Sequence, residues 1–131
     1  MDANKVGSKP APLTAAPADL YLGLGNVVYA LAKVDGGIDP EETRLARQLL
    51  GEQPYGELAL HTFFLLENCA VPVEEAYDFA LRRFTTHRKF LTVPMKKRFV
   101  NILLQIAEAH NNTSARELEL IQRFRHDLGR L

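Results

Sequence analysis

Cysteine is almost missing from this chain. Cys69 is its single cysteine, so no disulfide can form within it, which suits a reducing compartment. It stands in LLENCAVP, at the end of an apolar run and without a partnering motif. The expected role is that of a buried structural thiol. Tryptophan is absent, which leaves the core to Leu, Ile, Val, Ala and seven Phe. No stretch approaches the roughly 18–20 apolar residues of a membrane span, and the N-terminus lacks a signal peptide's apolar core. The expectation is a cytoplasmic protein without a transmembrane segment. Net charge is absent too, since 16 Lys and Arg balance 16 Asp and Glu. The overall basic excess of a nucleic-acid binder is therefore lacking. Gly23 and Gly25 form no phosphate loop, because no strand precedes them. His61, His87, His110 and His126 show no zinc spacing, and no Ser or Thr lies in a nucleophile-elbow context. Nothing here dictates a reaction, so a non-enzymatic protein is expected.

What the chain does have is an echo. Residues 31–49 read LAKVDGGIDPEETRLARQL, and residues 106–124 read IAEAHNNTSARELELIQRF. At a separation of seventy-five residues Leu31 falls on Ile106, Ala32 on Ala107, Asp39 on Ser114, Glu42 on Glu117, Leu45 on Leu120 and Leu49 on Phe124. Gly36 and Gly37 fall on Asn111 and Asn112. Self-similarity of this kind predicts a helix–turn–helix unit used twice.

The apolar periodicity supports that reading. Met1 to about Pro17 is rich in Pro and Gly and poor in large apolar groups, so residues 1–17 read as a flexible tail. Residues 18–131 read as one helical domain. Leu20, Leu24, Val27, Leu31 and Val34 recur at helical spacing. Gly23 and Gly25 would weaken that helix by roughly 1 kcal/mol each unless another helix approaches closely there. Asp39-Pro40-Glu41-Glu42 has the form of a cap, a first-position proline and a capping-box acid, starting a second helix that runs to about Leu50. A third helix is predicted over Tyr55–Asn68, a fourth from Pro72 and a fifth from near Pro94. Ser114, with Glu117 as reciprocal partner, caps the sixth. No alternating run suggests a strand. The fold class predicted is all-α, a compact bundle of about six helices with an internal pseudo-repeat.

Charge is segregated along the chain. Ten acids lie between Asp35 and Asp78, against Arg44 and Arg47 alone. From Phe79 to Ala107 there is no acid, against seven Lys and Arg. Arg82, Arg83, Arg88 and Lys89 are placed in the later turns of the fourth helix, where cations offset the dipole. Lys96, Lys97 and Arg98 are placed in the first turn of the fifth, where cations are unfavourable. Either the acidic half of the fold compensates them, or an acidic protein partner or anionic membrane surface does. Nucleic acid fits poorly, since no aromatic-stacking motif accompanies these cations.

The turn AKVDGGIDPEE looks like part of a calcium loop. With Glu42 at the twelfth place of an EF-hand, Asp35 takes the fifth, Gly36 the sixth and Asp39 the ninth. Leu31 and Lys33 then fall on the first and third places, which rules out a true EF-hand. What is left is a partial hard-cation site of Asp35, Asp39 and Glu42, suited to a divalent cation such as calcium. Read without a metal, the same residues are a helix stop, a cap and a capping-box member.

The pattern A-x-x-DG-x-I-x-x-x-E, here Ala32, Asp35, Gly36, Ile38 and Glu42 followed by Leu45 and Leu49, resembles the tellurite-resistance TerB family. The resemblance covers about Leu20 to Leu131, with this segment and its echo as the diagnostic parts. It implies a compact helical bundle with an acidic and a basic face, and metal coordination by the motif carboxylates. It also implies a place in stress responses and in assemblies at the bacterial membrane, peripheral to the inner membrane. A TerB-like domain occurs in a membrane-anchored J-domain co-chaperone. The second half departs from the pattern, with His110-Asn111 where the family often repeats Asp-Gly, and Ser114 opposite Asp39. Its turn is therefore expected to be structural. The function expected is that of a TerB-like accessory or interaction domain, and the alternative is a cation-responsive sensor using Asp35, Asp39 and Glu42.

Overall fold

The computed structural model describes residues 16–110 and 113–131. Among them are six α-helices and no strand: α1 (Ala18–Lys33), α2 (Pro40–Gly51), α3 (Gly56–Asn68), α4 (Val73–Thr86), α5 (Val93–Ala107) and α6 (Ala115–Gly129). Two 3-10 turns, Arg88–Phe90 and Glu108–His110, flank α5. The all-α architecture is as expected. Most of the segment read as a tail and the turn Asn111-Asn112 lie outside the described residues. No described helix is long and apolar enough to cross a membrane.

Helix α1 is the axis of the bundle. Twelve of its 16 residues are buried, whereas an amphipathic surface helix would bury a single stripe. The periodic stripe Leu20, Leu24, Val27 and Leu31 is buried, but so are Val28, Tyr29 and Ala30. Helices α4 and α3 pack along it, and α5, α2 and α6 complete the enclosure. Its two internal glycines are explained by these neighbours. A Cβ built on Gly25 would sit 2.6 Å from the Ala59 carbonyl oxygen of α3, and one on Gly23 would sit 2.9 Å from the Phe84 ring of α4.

Polar groups pin the same helix. The Tyr29 hydroxyl donates to the Val71 carbonyl at 2.7 Å. Asn26, fully buried, accepts from Arg83 Nε at 3.0 Å, so its side-chain oxygen is not left unpaired in the core. Arg83 also bonds Asp19, and His87 Nε2 lies 3.2 Å from the second Asp19 oxygen. Between α4 and α6, Arg123 grips Glu74 with two bonds of 2.8 and 2.9 Å and lies over the Tyr77 ring. The Tyr77 hydroxyl donates to Asp127 at 2.6 Å. Phe84 connects α4 to both α5 and α6 through ring contacts with Phe99 and Phe124.

Three expectations need correction. Helix α4 ends at Thr86, so Arg88 and Lys89 belong to the following 3-10 turn and do not offset its dipole. Helix α5 begins at Val93, one residue before Pro94, which leaves only Lys96 in its first turn. The dipole penalty fades beyond that turn, so it does not weigh on Lys97 and Arg98. Cys69 is exposed, because it follows the last residue of α3, where the chain leaves the core.

Gly25 faces backbone, which cannot swing aside, whereas Gly37 has nothing within 4 Å of its added Cβ and carries no positive φ. Gly25→Ala should therefore destabilise the fold by about 1–3 kcal/mol, the usual penalty of overpacking. Gly37→Ala should cost less than about 0.5 kcal/mol. Urea denaturation midpoints measured side by side check the contrast.

Candidate functional site

Two helix starts build the first candidate site. Asp39 caps α2, its Oδ2 accepting from the Glu42 N–H at 3.1 Å. Ser114 caps α6, its Oγ accepting from the Glu117 N–H at 3.0 Å. Both caps stand where the sequence puts them. In α6 the reciprocal arm is made as well, the Ser114 N–H donating to Glu117 Oε1 at 3.0 Å. Glu42 does something else with its carboxyl, which is hydrogen-bonded to that of Glu117. These two glutamates and Asn26 are the buried polar or charged residues among those described, with Glu42 7% and Glu117 3% exposed.

Two acids cannot share such a bond while both are ionised. Burial, above all, pushes the Glu42 carboxyl up to about 8, helped by the bond to Glu117 and by the charges of Glu117, Asp39 and Asp35. Like charges in a desolvated space favour holding one proton between them. The positive ends of α2 and α6 would favour carboxylates here, but desolvation outweighs them. At neutral pH the pair therefore retains a proton and links the two helix starts.

The link forms the floor of a pocket of about 310 Å³, lined by Ala32, Asp35, Gly37, Asp39, Glu42, Ser114 and Glu117. The structure thus brings the three expected ligands, Asp35, Asp39 and Glu42, to one place, exposed at Asp35 and buried at Glu42. Glu117 joins them, although the sequence pattern marks it only as a capping residue. The signal was the echo itself, which sets Glu42 on Glu117. The chemistry of the donors suits a hard cation, because all are oxygens. As arranged they do not form a finished centre: among the described residues no three Asp, Glu, His or Cys side chains are grouped to hold a metal. A cation would have to displace the proton shared by Glu42 and Glu117.

The second candidate site is basic. Lys96, Lys97 and Arg98 lie along a groove of about 700 Å³ between α5 and α6, with Arg125 on the α6 side. Among the described residues no acid lines this groove, and its floor is formed by Val100, Leu104 and Leu128. Val100 and Leu128 are buried and Leu104 half-buried, so the apolar surface is sunken below a charged rim. Among the described residues none of these three cations makes an ion pair. The acidic half of the fold does not compensate them. Acids and bases meet elsewhere, at Asp19–Arg83 and Glu74–Arg123. Arg125 was not singled out from the sequence, because it lies outside the basic run and only the α5–α6 packing brings it there.

Comparison with known proteins places the chain in no group: no family model matches it, and neither does any curated protein or solved structure.

Two expectations follow for the acidic pocket. A carboxyl whose folded pKa is raised stabilises the fold fully below its unfolded pKa of 4.5 and loses that contribution as pH climbs to about 8. Stability should therefore fall across that window, with a slope of up to about 1.4 kcal/mol per pH unit from this group. Glu42→Gln, which keeps a neutral donor toward Glu117, should flatten the slope. Chemical denaturation at a series of pH values reads it, and an unchanged slope in the variant would place the titration elsewhere. Asp39→Ala and Ser114→Ala should each destabilise by about 0.5–2 kcal/mol, the usual worth of an N-cap. Unchanged midpoints in both would show that neither cap bears on the fold.

Proposed function

We propose that this chain is a non-enzymatic accessory or interaction domain, TerB-like in kind, whose working surface is the basic groove between α5 and α6. The observation that carries this reading is the uncompensated state of Lys96, Lys97 and Arg98 around an apolar floor. Exposed like charges repel one another and weaken the folded state slightly. Their benefit is realised when an anionic partner arrives, through steering and specificity. A volume near 700 Å³ is typical of a real binding cleft. Because the apolar floor is sunken, a ridge fits it better than a flat surface does. An acidic amphipathic helix, which offers apolar side chains along one stripe and acids beside them, has that shape.

The motif resemblance to the TerB family supports an accessory role in a stress-response or membrane-associated assembly. A second reading rests on the acidic pocket. A divalent cation that displaced the Glu42–Glu117 proton would alter the join between α2 and α6, and the domain would then act as a cation-responsive sensor. Calorimetric titration with Ca²⁺, Mg²⁺, Mn²⁺ and Zn²⁺, repeated on Asp35→Asn, tests it. Heat of binding lost in the variant supports the sensor, and no heat with any of the four ions refutes it.

For the groove, Lys96, Lys97 and Arg98 should be replaced together by Gln. Thermal stability should stay the same or rise slightly, while affinity for a fluorescent acidic amphipathic peptide should fall at least about tenfold at low salt. Binding by the natural sequence should itself weaken with added salt, since the Debye length shrinks from about 10 Å at 0.1 M to about 3 Å at 1 M. Co-sedimentation with anionic vesicles but no peptide binding would assign the surface to a membrane. A marked loss of stability with unchanged association would refute the interaction surface.

A further inference from the structure

The molecule carries its own complement to the basic groove. Among the described residues five large apolar side chains are exposed: Tyr55, Leu58, Leu65, Val93 and Leu118. Leu58 and Leu65 lie on α3, 47% and 52% exposed. They are seven residues apart, close to two helical turns, and so share one side of the helix. Tyr55, 39% exposed, stands at the start of the same helix. Helix α3 packs on α1 and α2, which leaves this ridge without a helix packed over it among the described residues, on elements other than those that form the groove. Exposed apolar ridges of this kind mark association surfaces more often than isolated exposed leucines do.

Charge and size agree. Glu57 is exposed on α3, on the flank of the ridge. From Gln48 to Val71 the chain has three acids, Glu52, Glu57 and Glu67, and neither Lys nor Arg. Among the described residues the groove has four cations and no acid. Along α5 it extends from Lys96 to Leu104, about 12 Å, and the ridge from Leu58 to Leu65 spans about 10 Å at 1.5 Å per residue. Ridge into groove is the ordinary way one helix seats against two others.

We infer that the chain self-associates head to tail, the α3 ridge of one copy seating its Leu58 and Leu65 in the α5/α6 groove of the next, with Lys96, Lys97, Arg98 and Arg125 facing the acids around α3. This rests on the groove being an interaction surface, as proposed above, and names a second copy as its occupant. The two patches are different, so the contact is heterologous: each copy that fills a groove still offers an open one, and chains or rings follow. A soluble acidic helix binding the groove would compete with this assembly.

Sedimentation velocity of the full chain tests the inference. At about 50 mM salt the weight-average mass should rise with protein concentration above that of the monomer. Association should weaken at least about tenfold at 0.5 M salt, as screening removes the charge contribution. Leu58→Lys/Leu65→Lys and Lys97→Glu/Arg98→Glu change only exposed positions, and each variant should be monomeric alone. Mixed in equal amounts, they should form a species of twice the monomer mass and no larger, because the first retains a sound groove and the second a sound ridge. That rescue also shows both variants to be folded. A natural chain that stays monomeric at every concentration overturns the inference, and if it still binds the acidic peptide, the groove's role as an interaction surface survives. Self-association with no rescue on mixing overturns it as well, because the contact would then be symmetric.

Discussion

Everything in this fold is arranged around a helix with no outward face. Helix α1 buries twelve of its 16 residues, and it can do so only because glycine stands where two neighbours press closest. At Gly25 the Ala59 carbonyl occupies the space of a side chain, so the α1–α3 separation is set by backbone meeting backbone. Close packing of this sort loses stability quickly when a single methyl is inserted. The polar groups of α1 then fix its rotation. Asn26 and Asp19 are both tied to Arg83 of α4, and Tyr29 to the chain after α3. A central helix held on two sides leaves α5 and α6 to close the bundle from the remaining direction.

Closure brings the starts of α2 and α6 together and thereby creates the acidic pocket. Each helix start carries a cap and a glutamate at the third helical position, and each alone is an ordinary local device. Their meeting changes the chemistry. Glu117 keeps its capping-box arm, while the Glu42 carboxyl is turned to Glu117 at a largely desolvated position. The desolvation that would penalise two carboxylates instead favours a shared proton. A local signal for helix initiation has become a long-range tie between residues 42 and 117.

The helices themselves were legible because their punctuation is chemical. Gly36 takes a φ of +106 at the end of α1, Pro40 and Asp39 start α2, and Ser114 with Glu117 starts α6. Periodicity locates α1 but not the extent of its burial, since a stripe counts the residues that repeat and not the small ones between them. Gly23, Gly25 and Ala30 are silent in such a count, although all three are buried. The capping role of Glu42 was misread for a related reason. A capping box is a rule for one helix, and the rival partner Glu117 arrives from seventy-five residues away. Cys69 was misjudged because an apolar run says that a helix is buried on one side, not where its last turn leaves the core.

The separation of charge is the property that outlasts these local readings. A chain with equal numbers of acids and bases could pair them within itself, and this one does so at Asp19–Arg83, Glu41–Arg44 and Glu74–Arg123. It does not do so around α5. The bases there stand beside a sunken apolar floor, and Glu57 stands on the flank of the exposed Leu58 and Leu65 of α3. Surface ion pairs contribute little to stability in any case, so leaving these charges apart costs the fold little. Among the described residues, formal charge of opposite sign thus borders the two apolar features. Apolar surface alone would associate without discrimination, and charge alone would act only at a distance. Under the proposed self-association the two act together, in complementary shapes, to select what docks.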